Sequence, residues 1–167
     1  GDWAFSTWGG GDAEQYEGLK KMFSDQTPLG HVVTPEDVAD TILSLITGAS
    51  SGVGAALATQ LGEMGARVVV NYSRSGEAAE AVVSRISDAG GHALAVQADV
   101  SEEADCKRLV ATTVEHFGQL DVLVNNAGTT TFVPHDQLDA LTEDIWLRTL
   151  RVNLVGAFMM SREVAPH

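Results

Sequence analysis

Cysteine occurs once in this 167-residue chain, at Cys106. A single thiol excludes an internal disulfide and any cysteine-built metal site. Set in a helical stretch, Cys106 is expected to be a small core residue. No apolar run approaches the roughly 18 residues that suggest a membrane helix. Cations are scarce: ten lysines and arginines stand against 23 aspartates and glutamates, a formal charge of −13. Nucleic acids and anionic membranes need basic surface to neutralise phosphates, so both are disfavoured as partners. A small anion is a different matter, because backbone dipoles and one or two arginines suffice locally. His31, His92, His116, His135 and His167 lack metal-ligand spacing and read as surface residues. The N-terminus has no basic residue before Lys20. That argues against a secretory signal, and a cytoplasmic protein is expected.

What is present suits one ordinary globular domain, without repeats, low-complexity tracts or a linker. Residues 1–11 are loop-like but aromatic, with Trp3, Phe5 and Trp8. Asp12 to Phe23 reads as a helix with Asp12 as N-cap. "TPEDVADTILSLI" opens a second helix: Thr34 caps it, Pro35 suits its first turn, and Glu36 and Asp37 suit its positive end. Val38, Ile42 and Leu45 would form its apolar stripe, although "LSLI" also reads as a buried strand. From there the pattern alternates. "GAALATQLGEMG" is a helix ending at Gly65, "ARVVVNY" a strand, "GEAAEAVVSRISDAGG" a helix and "HALAVQADV" a strand. "SEEADCKRLVATTVEHFG" is a helix capped by Ser101 and stopped by Gly118, and "LDVLVNNAG" a strand. A long helical region runs from Thr142 to the end. Strands alternating with helices predict an α/β fold with a parallel sheet covered on both faces.

Four signals fall at carboxyl ends of strands, where open α/β sheets bind ligands. "TGASSGVG", Thr47 to Gly54, stands between a strand and a helix. Its glycines let backbone N–H groups approach a phosphate, and it lacks the Gly-Lys-Ser/Thr ending of a P-loop. Alone, such a turn also serves to pack a helix closely on a strand. At the second strand's end, where a carboxylate would hold the ribose hydroxyls of NAD, the chain has Asn71, Tyr72, Ser73 and Arg74. Serine and arginine suit the extra 2′-phosphate of NADP, while a solvated turn is the plainer reading. Asp99-Val100 and Asn125-Asn126-Ala127-Gly128 close the third and fourth strands.

In this order and spacing, "TGASSGVG", "DV", "NNAG" and "VNLVGAF" resemble the short-chain dehydrogenase/reductase family, over about Ile46 to His167. The likeness is nearest to reductases of β-ketoacyl thioesters and to sugar or alcohol dehydrogenases. The resemblance implies a Rossmann-type doubly wound sheet, here with the family's strands 1–4, and strand order 3-2-1-4. It implies hydride transfer between a nicotinamide cofactor, NADP rather than NAD, and a small carbonyl or alcohol substrate. By motif position, Gly48, Ser50, Ser51, Gly52 and Val53 would hold phosphates and ribose, with Asn71, Ser73 and Arg74 at the 2′-phosphate end. Asp99 and Val100 would flank adenine, and Asn125, Ala127 and Gly128 would line the nicotinamide side. Asn153 would be the asparagine of the family's Asn-Ser-Tyr-Lys active site.

The family's serine and Tyr-x-x-x-Lys lie on the next strand and helix, beyond His167. Residues 1–46 resemble the family's C-terminal substrate-side region and last helix, and 47–167 its dinucleotide-binding half. Together they are expected to form one structural domain of permuted and truncated order. Tyr16 and Lys20 share the Tyr-x-x-x-Lys spacing and one helix face, but their surroundings match the substrate-side region instead. Three functions stay open: an NADP(H)-dependent oxidoreductase, a catalytically incompetent nucleotide-binding fragment or pseudoenzyme, and a subunit completed by another chain. Strand four would be an apolar edge, prone to self-association or to pairing with a partner strand. "TILSLITG" must end one helix and supply a strand with almost no loop, so one of the two should give way.

Overall fold

The computed structural model of the protein describes Lys21 and residues 42–167. Residues from Ile42 onward belong to one compact unit, Ala39–His167. The expectations for the helices at 12–23 and from Thr34, and for Tyr16 and Lys20, lie outside the described residues.

Four parallel strands form the sheet: β1 (Leu43–Ile46), β2 (Arg67–Tyr72), β3 (Ala93–Gln97) and β4 (Val122–Val124). Their order is β3-β2-β1-β4, as the resemblance implied. Leu43 pairs with Arg67 and Ile46 with Val70 on one side, while Ser44 to Ile46 pair with Val122 to Val124 on the other. β1 is central and buried throughout. "LSLI" is therefore strand, and Leu45 belongs to the sheet rather than to a helical stripe. Ladder bonds to two neighbours and burial on both faces outweigh continuation of a helix through these residues. β4 is shorter than its apolar run suggested, three residues in all.

Side chains alternate between two cores. Leu43, Leu45, Val69 and Val96 face α3 (Glu103–Phe117) and α5 (Ala157–Val164), meeting Cys106, Leu109 and Met160. Ile46, Val68 and Val70 face α1 (Gly52–Glu63) and α2 (Gly76–Asp88), meeting Ala58, Val82 and Ile86. A strand rise of two residues per repeat thus converts continuous apolar runs into two packed layers. Cys106 is fully buried, as expected of a core thiol.

One helix boundary differs in chemistry from expectation. The N-cap of α3 is Glu102, and Ser101 spends its hydroxyl on Asp99 instead, donating to Oδ1 at 2.6 Å. Gly118 does end α3, in the left-handed conformation. The C-terminal helical region is continuous but not uniform: α4 (Glu143–Leu150) runs through a π-helical stretch, Arg151–Gly156, into α5. At Gly156 an added Cβ would stand 2.8 Å from the Val100 carbonyl, so this rod rests directly on the end of β3. Among the described residues no helix is long and apolar enough to cross a membrane.

Candidate cofactor site

The carboxyl ends of all four strands open onto one cleft of about 490 Å³. Its floor is built by tying the loops together. The Thr47 hydroxyl, just past β1, accepts the N–H groups of Asn126 and Ala127 at 3.0 Å each and donates to the Val124 carbonyl at 3.3 Å. The Asn126 carboxamide donates to the carbonyls of Thr47 and Gly48 at 2.9 and 3.1 Å. The β1 and β4 loops touch so closely that a Cβ on Gly48, at φ +62°, would lie 2.9 Å from the Ala127 Cα. Only glycine combines that backbone with that approach.

Asn71 closes the same floor from β2. Its Oδ1 accepts the Gly48 N–H at 3.2 Å, and its Nδ2 donates to the carbonyls of Val96 and Ala98 at 3.2 and 3.0 Å. It borders the cleft but is almost wholly buried, with its amide spent on backbone. Ser73 and Arg74 follow it, exposed and lining the cleft. No carboxylate stands between Asn71 and Gly76.

The front wall is the start of α1. Ser51 is its N-cap, extended and with no side-chain capping bond, and the first turn has no acidic residue. Gly52 follows at φ +58° with open space where a Cβ would point. A helix start leaves its first N–H groups without intrahelical partners, and the helix dipole makes that end partly positive. Ser50, Ser51 and Val53 line the cleft here.

On the β3 side stand Asp99 and Val100. Burial pushes the Asp99 carboxyl up, but hydrogen bonds from the Ser101 hydroxyl and N–H and the positive charge of Arg148 outweigh it. The net is a pKa below the ordinary carboxylate value. On the β4 side, Ala127, Gly128 and Thr129 line the cleft. Asn153, in the π stretch, grips Thr129 from behind: its Oδ1 accepts the Thr129 N–H at 2.7 Å and its Nδ2 donates to the Thr129 carbonyl at 2.9 Å.

Eleven of the residues singled out from sequence thus border one cleft, namely all except Gly52, Asn125 and Asn153. Asn125 turns away and donates to the Ser161 hydroxyl at 3.1 Å. Sequence reasoning missed Thr47 and Asn126 as the loop fasteners, and Thr129, Arg148 and Val152 as cleft residues. A signal existed for the last two: Arg148 and Val152 stand four apart, so they share the helix face that ends beside Asn153.

A parallel sheet with a glycine turn and an uncapped helix start at its carboxyl edge defines a Rossmann-type α/β protein, the class of fold in which dinucleotides bind at that edge. The residues present fit such a ligand: α1 offers free N–H groups, no acidic side chain guards them, and Gly52 leaves the approach open. Residues 43–167 match the short chain dehydrogenase family, and the chain belongs to it. It is 46% identical over 128 residues to versicolorin reductase 1 of Aspergillus parasiticus, covering 77% of this chain and 48% of that protein. A short-chain dehydrogenase/reductase from Serratia marcescens superposes with a TM-score of 0.70 at 39% identity, over 76% of this chain and 51% of that one. The NADH-dependent reductase A1-R′, responsible for alginate metabolism, gives 0.69 at 32% identity, over 75% and 50%. The chain spans about half the length of the curated relatives it matches.

Proposed function

We propose that the protein serves as an NADP(H)-dependent oxidoreductase acting on a small carbonyl or alcohol compound. A bound nicotinamide would supply or take the hydride. The pyrophosphate is received by the α1 N-terminus, with Ser50, Ser51 and Val53 around it and Gly52 leaving room. Ser73 and Arg74 take the 2′-phosphate, on a floor that Asn71 holds level. Asp99 and Val100 flank the adenine. Ala127 and Gly128 line the nicotinamide side, with Asn125 and Asn153 fixing the β4 loop from behind. The observation that carries the NADP preference is the end of β2, where an exposed serine and arginine stand and no carboxylate does. Versicolorin reductase 1, by its name a reductase, supports the reductive class. Reductase A1-R′ uses NADH, so the preference must be measured on this chain.

Calorimetric titration with NADPH and NADH tests the reading. Losing a charge-assisted phosphate contact in Arg74→Ala should weaken NADPH by roughly 10- to 100-fold while leaving NADH nearly unchanged. Equal losses for both cofactors would sink the NADP assignment. We also propose a cytoplasmic setting, supported by a lone buried thiol that needs no oxidising compartment. Self-association through the β4 edge is supported by Val122, an apolar residue exposed on that strand. Sedimentation of the 167-residue chain as a monodisperse monomer would contradict that last point.

A further inference from the structure

Of the chain's seven arginines, four are held by bonds within the fold. Arg67 donates to the Phe117 carbonyl, Arg108 to the Gln97 carbonyl and Asp105, Arg151 to the Ser101 carbonyl, and Arg162 to Glu103 and Glu163. Among the described residues no hydrogen bond or ion pair holds Arg74, Arg85 or Arg148. Two of these three, Arg74 and Arg148, line the cleft. In a chain of net charge −13, uncommitted cations at one cleft are a pattern that solvation alone does not require.

Arg148 is also well placed by its helix. The rod from α4 into the π stretch is fixed to the end of β3 at two points. Arg151 Nε donates to the Ser101 carbonyl at 3.0 Å, and Gly156 abuts Val100. On the same rod, Arg148, one turn before Arg151, and Val152, one turn before Gly156, line the cleft together with Asp99 and Val100. Arg148 and Asp99 line the same cleft with no ion pair between them, which leaves the guanidinium able to engage a ligand there.

We propose that Arg148 is a cofactor-contact residue at the base end of the cleft, its flat guanidinium lying against the purine of the adenosine half. This rests on the dinucleotide reading above. Guanidinium planes stack on aromatic faces, and they are weakly hydrated enough to do so beside apolar neighbours such as Val100 and Val152. Arg74 and Arg148 then divide the work. Arg74 distinguishes NADPH from NADH, whereas Arg148 contacts what the two share.

The test is calorimetric titration of the full chain and of Arg148→Gln with NADPH, NADH, 5′-AMP and nicotinamide mononucleotide, beside thermal melting of both proteins. The expected result is a roughly three- to thirtyfold loss for NADPH, NADH and AMP alike. Any binding of nicotinamide mononucleotide and the melting temperature should stay unchanged. Unaltered affinity for NADPH and NADH in Arg148→Gln overturns the proposal. So does a loss confined to NADPH, which would make Arg148 a 2′-phosphate ligand. If the unaltered chain binds none of the adenine nucleotides, the dinucleotide reading itself fails and this inference falls with it.

Discussion

Cys106 sits at 0% exposure on α3, its thiol donating to the Val100 carbonyl at 3.3 Å. Burial, reinforced by the charges of Asp105, Glu163 and Asp99, pushes the thiol pKa from 9.0 up to about 11. Between those values the unfolded chain sheds the proton and the folded chain keeps it. The stability this thiol contributes is therefore fully present below pH 9 and declines as pH rises toward 11, by about 2–3 kcal/mol. Urea unfolding of the protein and of Cys106→Ala at pH 8 and pH 11 isolates the effect. The variant should lose less stability between the two pH values than the parent, and equal losses would show that the thiol ionises freely in the fold. Asn71 teaches a different lesson about single residues. From sequence it stands at the ribose end of a cofactor, beside Ser73 and Arg74. Its parity on β2 turns it inward, and it holds Gly48 and the β3 backbone in place, so its part in binding is to position others.

At the scale of elements, the start of α1 concentrates a conflict between stability and binding. Ser51 makes no capping bond, and no acid balances the helix dipole. An aspartate at this N-cap would supply both, worth about 0.5–1 kcal/mol to the fold. The same charge would face the incoming pyrophosphate. Ser51→Asp is expected to raise the urea midpoint slightly and to weaken NADPH and NADH together. A variant less stable than the parent would show that the introduced aspartate does not cap the helix, and one binding NADPH as tightly would show that the helix start is not the phosphate seat. The elements themselves differed in how far they could be read. β2, α2 and α3 follow from local periodicity and glycine stops. β1 was ambiguous because a short, mostly apolar run, Leu43–Ile46, suits a helix end or a strand, and only pairing with Val68–Val70 and Val122–Val124 decides it. The π stretch at Arg151–Gly156 has no local signature. It is imposed by packing Gly156 on Val100 and by Asn153 reaching Thr129. The fasteners Thr47 and Asn126 were hidden for the same reason: their partners are some eighty residues away in sequence and adjacent only in the sheet.

At the scale of the whole molecule, two layers of helices hold the sheet so that its four carboxyl ends meet at one edge. The motifs were legible because each ends a strand, and strand ends in a parallel sheet converge. What they build together, a cleft with two uncommitted arginines in a strongly acidic protein, depends on topology. The central claim is that this edge receives a nicotinamide dinucleotide along its whole length. Backbone amide shift mapping of the ¹⁵N-labelled chain during titration with NADPH tests it most directly. The account predicts saturable shifts concentrated at Ser50–Val53, Ser73–Arg74, Asp99–Val100 and Ala127–Thr129, with α2 and the far ends of the strands unmoved. Shifts scattered over other surfaces, or none at saturating NADPH, would contradict it.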